Sequence, residues 1–172
     1  MKKSLLLTSL LAMIVVSGFS QADKYWSANF ASRSSMVTDK AVSRKSYPNE
    51  FKLFNLNFGS FKQIVLSAVQ SRSSQKSTII SLPNADGNIE QFEIFEASNF
   101  DAALQAQFPE IRAFSGKGIT DKSATLKLSI SPQGIQTMVF RTESDNEFIE
   151  PFSKDHSVYS VYRSHRDKSK LP

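Results

Sequence analysis

The sequence predicts a β-rich α+β domain: an antiparallel twisted sheet or small sandwich of about six to eight strands, with one or two short helices laid against it. Three observations carry this. In Ala124–Ser131, Leu126, Leu128 and Ile130 alternate with Thr125, Lys127, Ser129 and Ser131, the period of two that a half-buried strand requires. Two strand-like runs, 77–82 and 89–96, flank Pro83-Asn84-Ala85-Asp86-Gly87-Asn88, a cluster dense in turn formers with Asp86-Gly87 at its corner. Two short stretches carry apolar residues at helical spacing instead, after Ser60 and after Ser98.

Read from the start, Met1-Lys2-Lys3 precedes the apolar run Leu5–Val16, and small residues follow at Ser17, Gly18 and Ser20. A basic start, a short apolar stretch and a small-residue end predict a secretory signal peptide over 1–20, cleaved after Ser20 or after Ala22. The apolar run is shorter than the roughly 20 residues that span a bilayer, and no second run of spanning length follows. Residues 21–50 are polar, with Ser32-Arg33-Ser34-Ser35 and Ser43-Arg44-Lys45-Ser46. They predict an N-terminal arm that docks through Tyr25 and Trp26 and ends at Pro48.

The domain proper is expected over 51–163. Phe51 and Leu53 share one face of a short strand, and Phe54 and Leu56 lie near its end. Ser60-Phe61-Lys62-Gln63 has capping-box spacing, and Phe61, Ile64, Val65 and Ala68 form one helical stripe that fades at Ser71–Ser74. After the hairpin, Ser98 or Asn99 can cap a second helix whose Phe100, Ala103, Leu104 and Phe108 share a face, closed by Pro109. Extended chain resumes at Ile111–Gly116, with a loop at Lys117–Asp121. Strands at 124–131, 135–141, 148–151 and 158–162 complete a meander, with turns at Pro132-Gln133-Gly134 and Glu143–Asn146. Residues 164–172 are charged and predict a flexible basic tail or linker.

Composition narrows the function. Losing Lys2 and Lys3 with the signal takes the formal charge from +5 to +3, because residues 1–20 contain no acid. Lys and Arg are spread along the chain with no aromatic-interleaved basic motif, which argues against nucleic acid as partner. Fourteen Phe against one Trp and four Tyr supply the bulk of the core. With zero Cys, stability rests on burial, and thiol catalysis, Cys–zinc sites and a thiolate zinc ligand are excluded.

No catalytic constellation stands out. His156 sits beside Lys154 and Asp155 in a strand-connecting loop and reads as a solvated loop histidine. His165 lies among Arg163, Arg166 and Lys168 in the tail. No H-E-x-x-H is present. Ser115-Gly116 and Phe58-Gly59-Ser60 lack the G-x-S-x-G elbow, and Lys117-Gly118 lacks the spacing of a phosphate-binding loop. Asp86 and Asp121 are turn residues by context, and Glu93 and Glu96 lie on or beside a strand, so no carboxylate pair is picked out. The expectation is no catalytic residue, no cofactor-binding residue and no metal ligand.

Five phrases in order carry a resemblance. They are Phe51-Lys52-Leu53-Phe54-Asn55-Leu56-Asn57, Ser81-Leu82-Pro83-Asn84-Ala85-Asp86-Gly87, Phe108-Pro109-Glu110-Ile111, Phe114-Ser115-Gly116-Lys117-Gly118-Ile119 and Phe148-Ile149-Glu150-Pro151-Phe152-Ser153-Lys154-Asp155. From roughly Tyr25 to Arg166 the chain resembles the N-terminal, propeptide-like region of secreted bacterial reprolysin-like zinc metallopeptidases. It departs in having Ala85 where that pattern carries proline, and it lacks the zinc motif H-E-x-x-H-x-x-G-x-x-H of the catalytic domain.

The resemblance implies a prodomain that assists folding of a catalytic domain absent from this chain and keeps it latent. Zinc would belong to that domain, and the cognate catalytic domain would be the partner. Without Cys, blocking would use packing or a non-thiol ligand. The chain itself is expected to be no enzyme, to be secreted, periplasmic or at the cell surface, to leave the membrane after signal cleavage, and to be a monomer. The alternative is a stand-alone exported binding module that recognises a protein or glycan through its sheet.

Overall fold

The computed structural model describes residues 24–38, 48, 50–69, 76–98 and 100–164. The expected signal peptide, the polar loop expected at 71–74, His165 and the rest of the expected tail lie outside the described residues. Nine strands form one sheet: β1 (Trp26–Asn29), β2 (Lys52–Leu56), β3 (Ser77–Pro83), β4 (Ile89–Glu96), β5 (Arg112–Gly118), β6 (Thr125–Ser131), β7 (Gly134–Phe140), β8 (Glu147–Pro151) and β9 (Val158–Arg163). Two short helices accompany it, α1 (Phe58–Leu66) and α2 (Ala102–Gln107). The order across the sheet is β1-β2-β9-β8-β7-β6-β5-β4-β3, and every neighbouring pair is antiparallel.

The β-rich class is as expected, but the nine strands belong to one curled sheet, a half-barrel, and not to a two-sheet sandwich. The reason lies on the concave side. Accumulated twist bends a large sheet until it curls on itself. Here the hollow is filled by inward side chains and by α1. Phe92, Ile94, Phe114, Leu126, Leu128, Ile130, Ile135, Val139 and Ile149 are all buried in one continuous core with Phe61 and Val65 of α1 and Ala68 just beyond it. The helical stripe expected there is confirmed, with Ile64 only partly buried against the core. With the helix taking that space, no second sheet is needed to cover the apolar face.

The alternation in β6 survives as written. Leu126, Leu128 and Ile130 are buried, Thr125 and Lys127 are exposed, and their neighbours on β5 and β7 match face for face. The 84–88 turn closes as expected, with Gly87 at φ +94° and the Gly87 and Asn88 amides donating to Asn84.

Several boundaries move. The arm contributes a strand, β1, which adds to β2 through the register Trp26↔Leu56 to Asn29↔Leu53. α1 begins two residues before Ser60, because Asn57 and not Ser60 is the N-cap: its Oδ1 accepts the Ser60 amide at 3.2 Å. α2 is capped by Asp101, whose Oδ1 accepts the Leu104 amide at 2.8 Å. Neither Ser98 nor Asn99, the latter outside the described residues, takes that position. No residue of α2 is buried, and Leu104 and Phe108 are exposed. Its stripe has nothing to cover, because the concave side is already full. β5 runs through Lys117 and Gly118, so the loop starts at Ile119.

Trp26 joins the two ends of the curl. Its indole packs edge-on against Phe61 and Tyr159, with centroids at 5.8 and 5.6 Å. Its Nε1 donates to the carbonyl of Ser81 on β3 at 2.9 Å. The expected docking of Tyr25 and Trp26 is thus made on α1 and on the far edge of the sheet.

Candidate functional site

At the end of the half-barrel where β3, β5, β7 and β9 finish, the charged side chains converge on one another. Arg141, the residue after β7, donates from Nη2 to Glu90 at 2.7 Å and to Glu147 at 2.6 Å, and from Nη1 to Asp121 at 3.0 Å. Its side chain is one-tenth exposed and that of Glu147 only 3%. Burial acts to lower the Arg141 pKa, but hydrogen bonds and charge from Glu90 and Glu147 outweigh it and hold the guanidinium charged. Glu147 also accepts the Ala85 amide at 3.3 Å and lies 3.4 Å from Arg163 Nε. Arg163 in turn pairs with Asp86, and Lys52 donates to the Asp86 carbonyl.

This network is a clamp. It ties the β3–β4 turn, at one edge of the sheet, to β8, β9 and β2 on the far side of the curl. Asp121 is held ionised below the usual carboxylate range, first by the hydroxyl and amide of Ser123 and then by Arg141. Asp86 and Asp121 are turn residues as expected, and both are engaged by arginines. The cluster holds three carboxylates around one guanidinium, with Arg163 beside Glu147 as a second cation. Among the described residues, no group of three or more His, Cys, Asp and Glu side chains is placed to hold a metal ion.

The remaining candidates are scattered. Ser115 and Lys117 stand on β5, with Ser115 accepting Lys127 Nζ at 2.7 Å. Glu93 accepts Ser77 Oγ at 2.7 Å, and Glu96 pairs with Arg112 at 2.7 Å on the β4–β5 side. His156 lies in the β8–β9 loop as expected, but it is not the solvated histidine of the sequence reading. It is half-buried, adopts φ +56° and has Nε2 buried. Its conformation follows from Asp155, whose carboxylate accepts Ser153 Oγ at 2.5 Å and Ser157 Oγ at 2.8 Å and turns the chain tightly around itself. Those hydrogen bonds, that of Ser153 first, keep the Asp155 carboxyl below its ordinary range.

The outward face offers the surface that sequence reasoning could not locate. Over β2 and β9 it is covered: Leu53, Phe152 and Val158 form a second apolar cluster with Met36 and Phe51, and the Lys154 amide donates to Val37 at 2.8 Å. Over β5–β8 it is an open groove of about 500 Å³. Small residues Ala97, Ala113, Ser115 and Ser129 make its floor, and Lys127, Met138, Phe148 and Glu150 stand around it. The register explains the hollow. Ala113↔Ser129, with Ser115 two residues further along β5, places short side chains in a row beside Lys127 and the longer side chains of β7 and β8. A groove that pairs apolar atoms with hydroxyls, an ammonium and a carboxylate suits a mixed polar–apolar ligand surface.

No helix among the described residues is long and apolar enough to cross a membrane. No family model, curated protein or solved structure matches the chain.

Proposed function

We propose that this domain is a prodomain-type binding module of a secreted zinc metallopeptidase. It would hold the catalytic domain against the β5–β8 groove and carry no chemistry of its own. The observation that supports the reading is where the five resembling phrases fall. They lie on β2, on the β3–β4 turn, on the connection from α2 into β5, on β5, and on β8 with the loop after it. The likeness therefore runs from one side of the sheet to the other and includes Asp86 of the clamp. Four of the phrase residues, Phe114, Ser115, Phe148 and Glu150, line the groove itself, and the others serve the scaffold.

The test is a titration of the purified chain into a reprolysin-like catalytic domain carrying H-E-x-x-H-x-x-G-x-x-H. Casein hydrolysis and the yield of active protease on refolding would be followed. We expect inhibition by the chain, a higher refolding yield, and weakening of both by the double substitution Lys127→Glu and Met138→Arg. No inhibition and no gain in refolding at large excess would overturn the reading. So would chelator-sensitive casein cleavage by the chain alone.

The second reading, an exported module that recognises a protein or glycan, is favoured by one observation. Phe148 and Met138 lie beside Lys127 and Ser129, an apolar surface next to polar groups of the kind that binds the two faces of a sugar. Saturable glycan binding lost in Phe148→Ala, with no effect of the chain on the protease, would decide for it.

A further inference from the structure

One row of paired residues crosses the outward face from β4 to β9: Phe95↔Ser115, Ser115↔Lys127, Lys127↔Met138, Met138↔Phe148 and Phe148↔Tyr162. Strand pairing sets these residues side by side at intervals of about 4.8 Å. The row carries one charge, that of Lys127. Its ammonium donates to Ser115 Oγ at 2.7 Å, and no carboxylate of the described residues lies within 4.0 Å of it. Arg112, Arg141 and Arg163 differ, for each is paired with an acid. An ammonium has three donors, and one neutral hydroxyl leaves room for an anion, its stronger partner.

The other end of the row is apolar. Phe148 stacks on Tyr162, with centroids 5.5 Å apart and planes 16° from parallel. Tyr162 is buried, so it fixes the ring above it, while Phe148 itself stays half-buried and lines the groove. A ring already held in place offers contact area at little entropic cost. From Ser115 on β5, which holds the ammonium, to Phe148 on β8 is three strand spacings, about 14 Å. In an extended chain the side chains at i and i+4 share a face and stand about 13 Å apart.

We propose that the outward groove takes an extended segment of the partner polypeptide, laid across the strands. An acidic side chain of the segment sits on Lys127, and an apolar one, four residues away, sits on Phe148. The side chain midway between them meets Met138. The polar groups of the groove favour a polypeptide over a glycan. Ser115 is taken up by Lys127, and Glu150 already has a partner. Ser129 and Gln136 are left for the many hydroxyls of a sugar, and a buried hydroxyl without a partner costs binding energy. The inference deepens the first reading above and rests on its assignment of this groove to a protein partner.

The probe is the blocked peptide acetyl-Ser-Asp-Thr-Ala-Thr-Phe-Ser-amide, titrated into the purified chain and followed by backbone amide chemical shifts. We expect saturable shifts at Ser115, Lys127, Ser129 and Phe148. Asparagine for the aspartate, or alanine for the phenylalanine, should weaken binding about tenfold or more. So should moving the phenylalanine one residue nearer the aspartate, which turns it to the other face of the segment. In the chain, Lys127→Gln should weaken binding to the same degree and Lys127→Arg should retain it. Lys122→Gln, which removes a cation from the exposed β5–β6 loop, should change nothing. No saturable shift at these amides, or equal losses in Lys127→Gln and Lys122→Gln, would overturn the proposal. So would shifts with trigalacturonate and none with the peptide, since the anion would then belong to a glycan. Run beside the protease titration, the two readings fail separately. Groove shifts without inhibition support this site and remove the protease as its partner, whereas inhibition without groove shifts removes this site alone.

Discussion

The hydroxyl of Tyr159 fills the space that a side chain at Gly134 would need: a Cβ built there would lie 2.5 Å from it. Gly134 follows the β6–β7 turn at φ +100°, a backbone state that only glycine adopts freely. Gly134→Ala therefore meets two penalties, and we expect it to cost more than about 1 kcal/mol. Urea melts would check this. In the Tyr159→Phe background the steric share should be relieved and the backbone share should remain, so the double mutant should recover only part of the loss.

The same tyrosine gives the fold an alkaline limit. Burial raises its pKa to about 12, while the Ile135 amide, donating to the hydroxyl, works against the shift. The unfolded chain ionises near the ordinary value of about 10. Below pH 10 both states are protonated and stability does not depend on this group. Between about 10 and 12 the unfolded state alone releases the proton, so stability falls by about 1.4 kcal/mol per pH unit and then levels. Thermal melts across that range should show the fall in the native chain and a smaller one in Tyr159→Phe.

Arg141→Met should leave Glu90 and Asp121 without their counter-charge and Glu147 with Arg163 alone, 3.4 Å away. Breaking a buried pair in this way costs about 3–5 kcal/mol. Replacing the carboxylate and the guanidinium together, as Glu147→Gln with Arg141→Met, should cost less than the sum of the single changes. A double-mutant cycle by chemical denaturation reads the coupling. Additive losses would mean that the clamp does not act as a unit.

In β6, Leu128→Ala should cost about 2–5 kcal/mol, and Lys127→Ala under about 0.5 kcal/mol. Leu128 is 2% exposed in the core, and Lys127 stands on the outward face against Ser115. Equal losses in urea would show that the facing is wrong.

What could be read from the chain followed local chemistry. The β6 and β7 strands announce themselves by alternation, and the 84–88 hairpin by Asp86-Gly87. β1 does not: Trp26-Ser27-Ala28-Asn29 is four residues long with one apolar anchor, and only its pairing with β2 makes it a strand. The caps at Asn57 and Asp101 are not legible in the sequence, because a nearby serine offers the same side-chain oxygen. Phe108 and Leu104 have the spacing of a buried stripe, yet they stay exposed because α1 already occupies the hollow. The clamp was out of reach for another reason. Glu90, Asp121, Arg141 and Glu147 sit on four different segments, and only the curl brings them within 3.0 Å of one guanidinium. The groove is a product of register between the neighbouring strands β5 to β8, which the sequence does not spell out.

The placement of β9 sets a schedule. It lies between β2 and β8, so Lys52 finds its partner only at Val161. A chain that emerges N-terminus first must hold β1, β2 and α1 without their neighbour until nearly all of it has appeared. Such a late, long-range pairing makes for slow closure. It also keeps the early half pliable for as long as the last strand is still on its way.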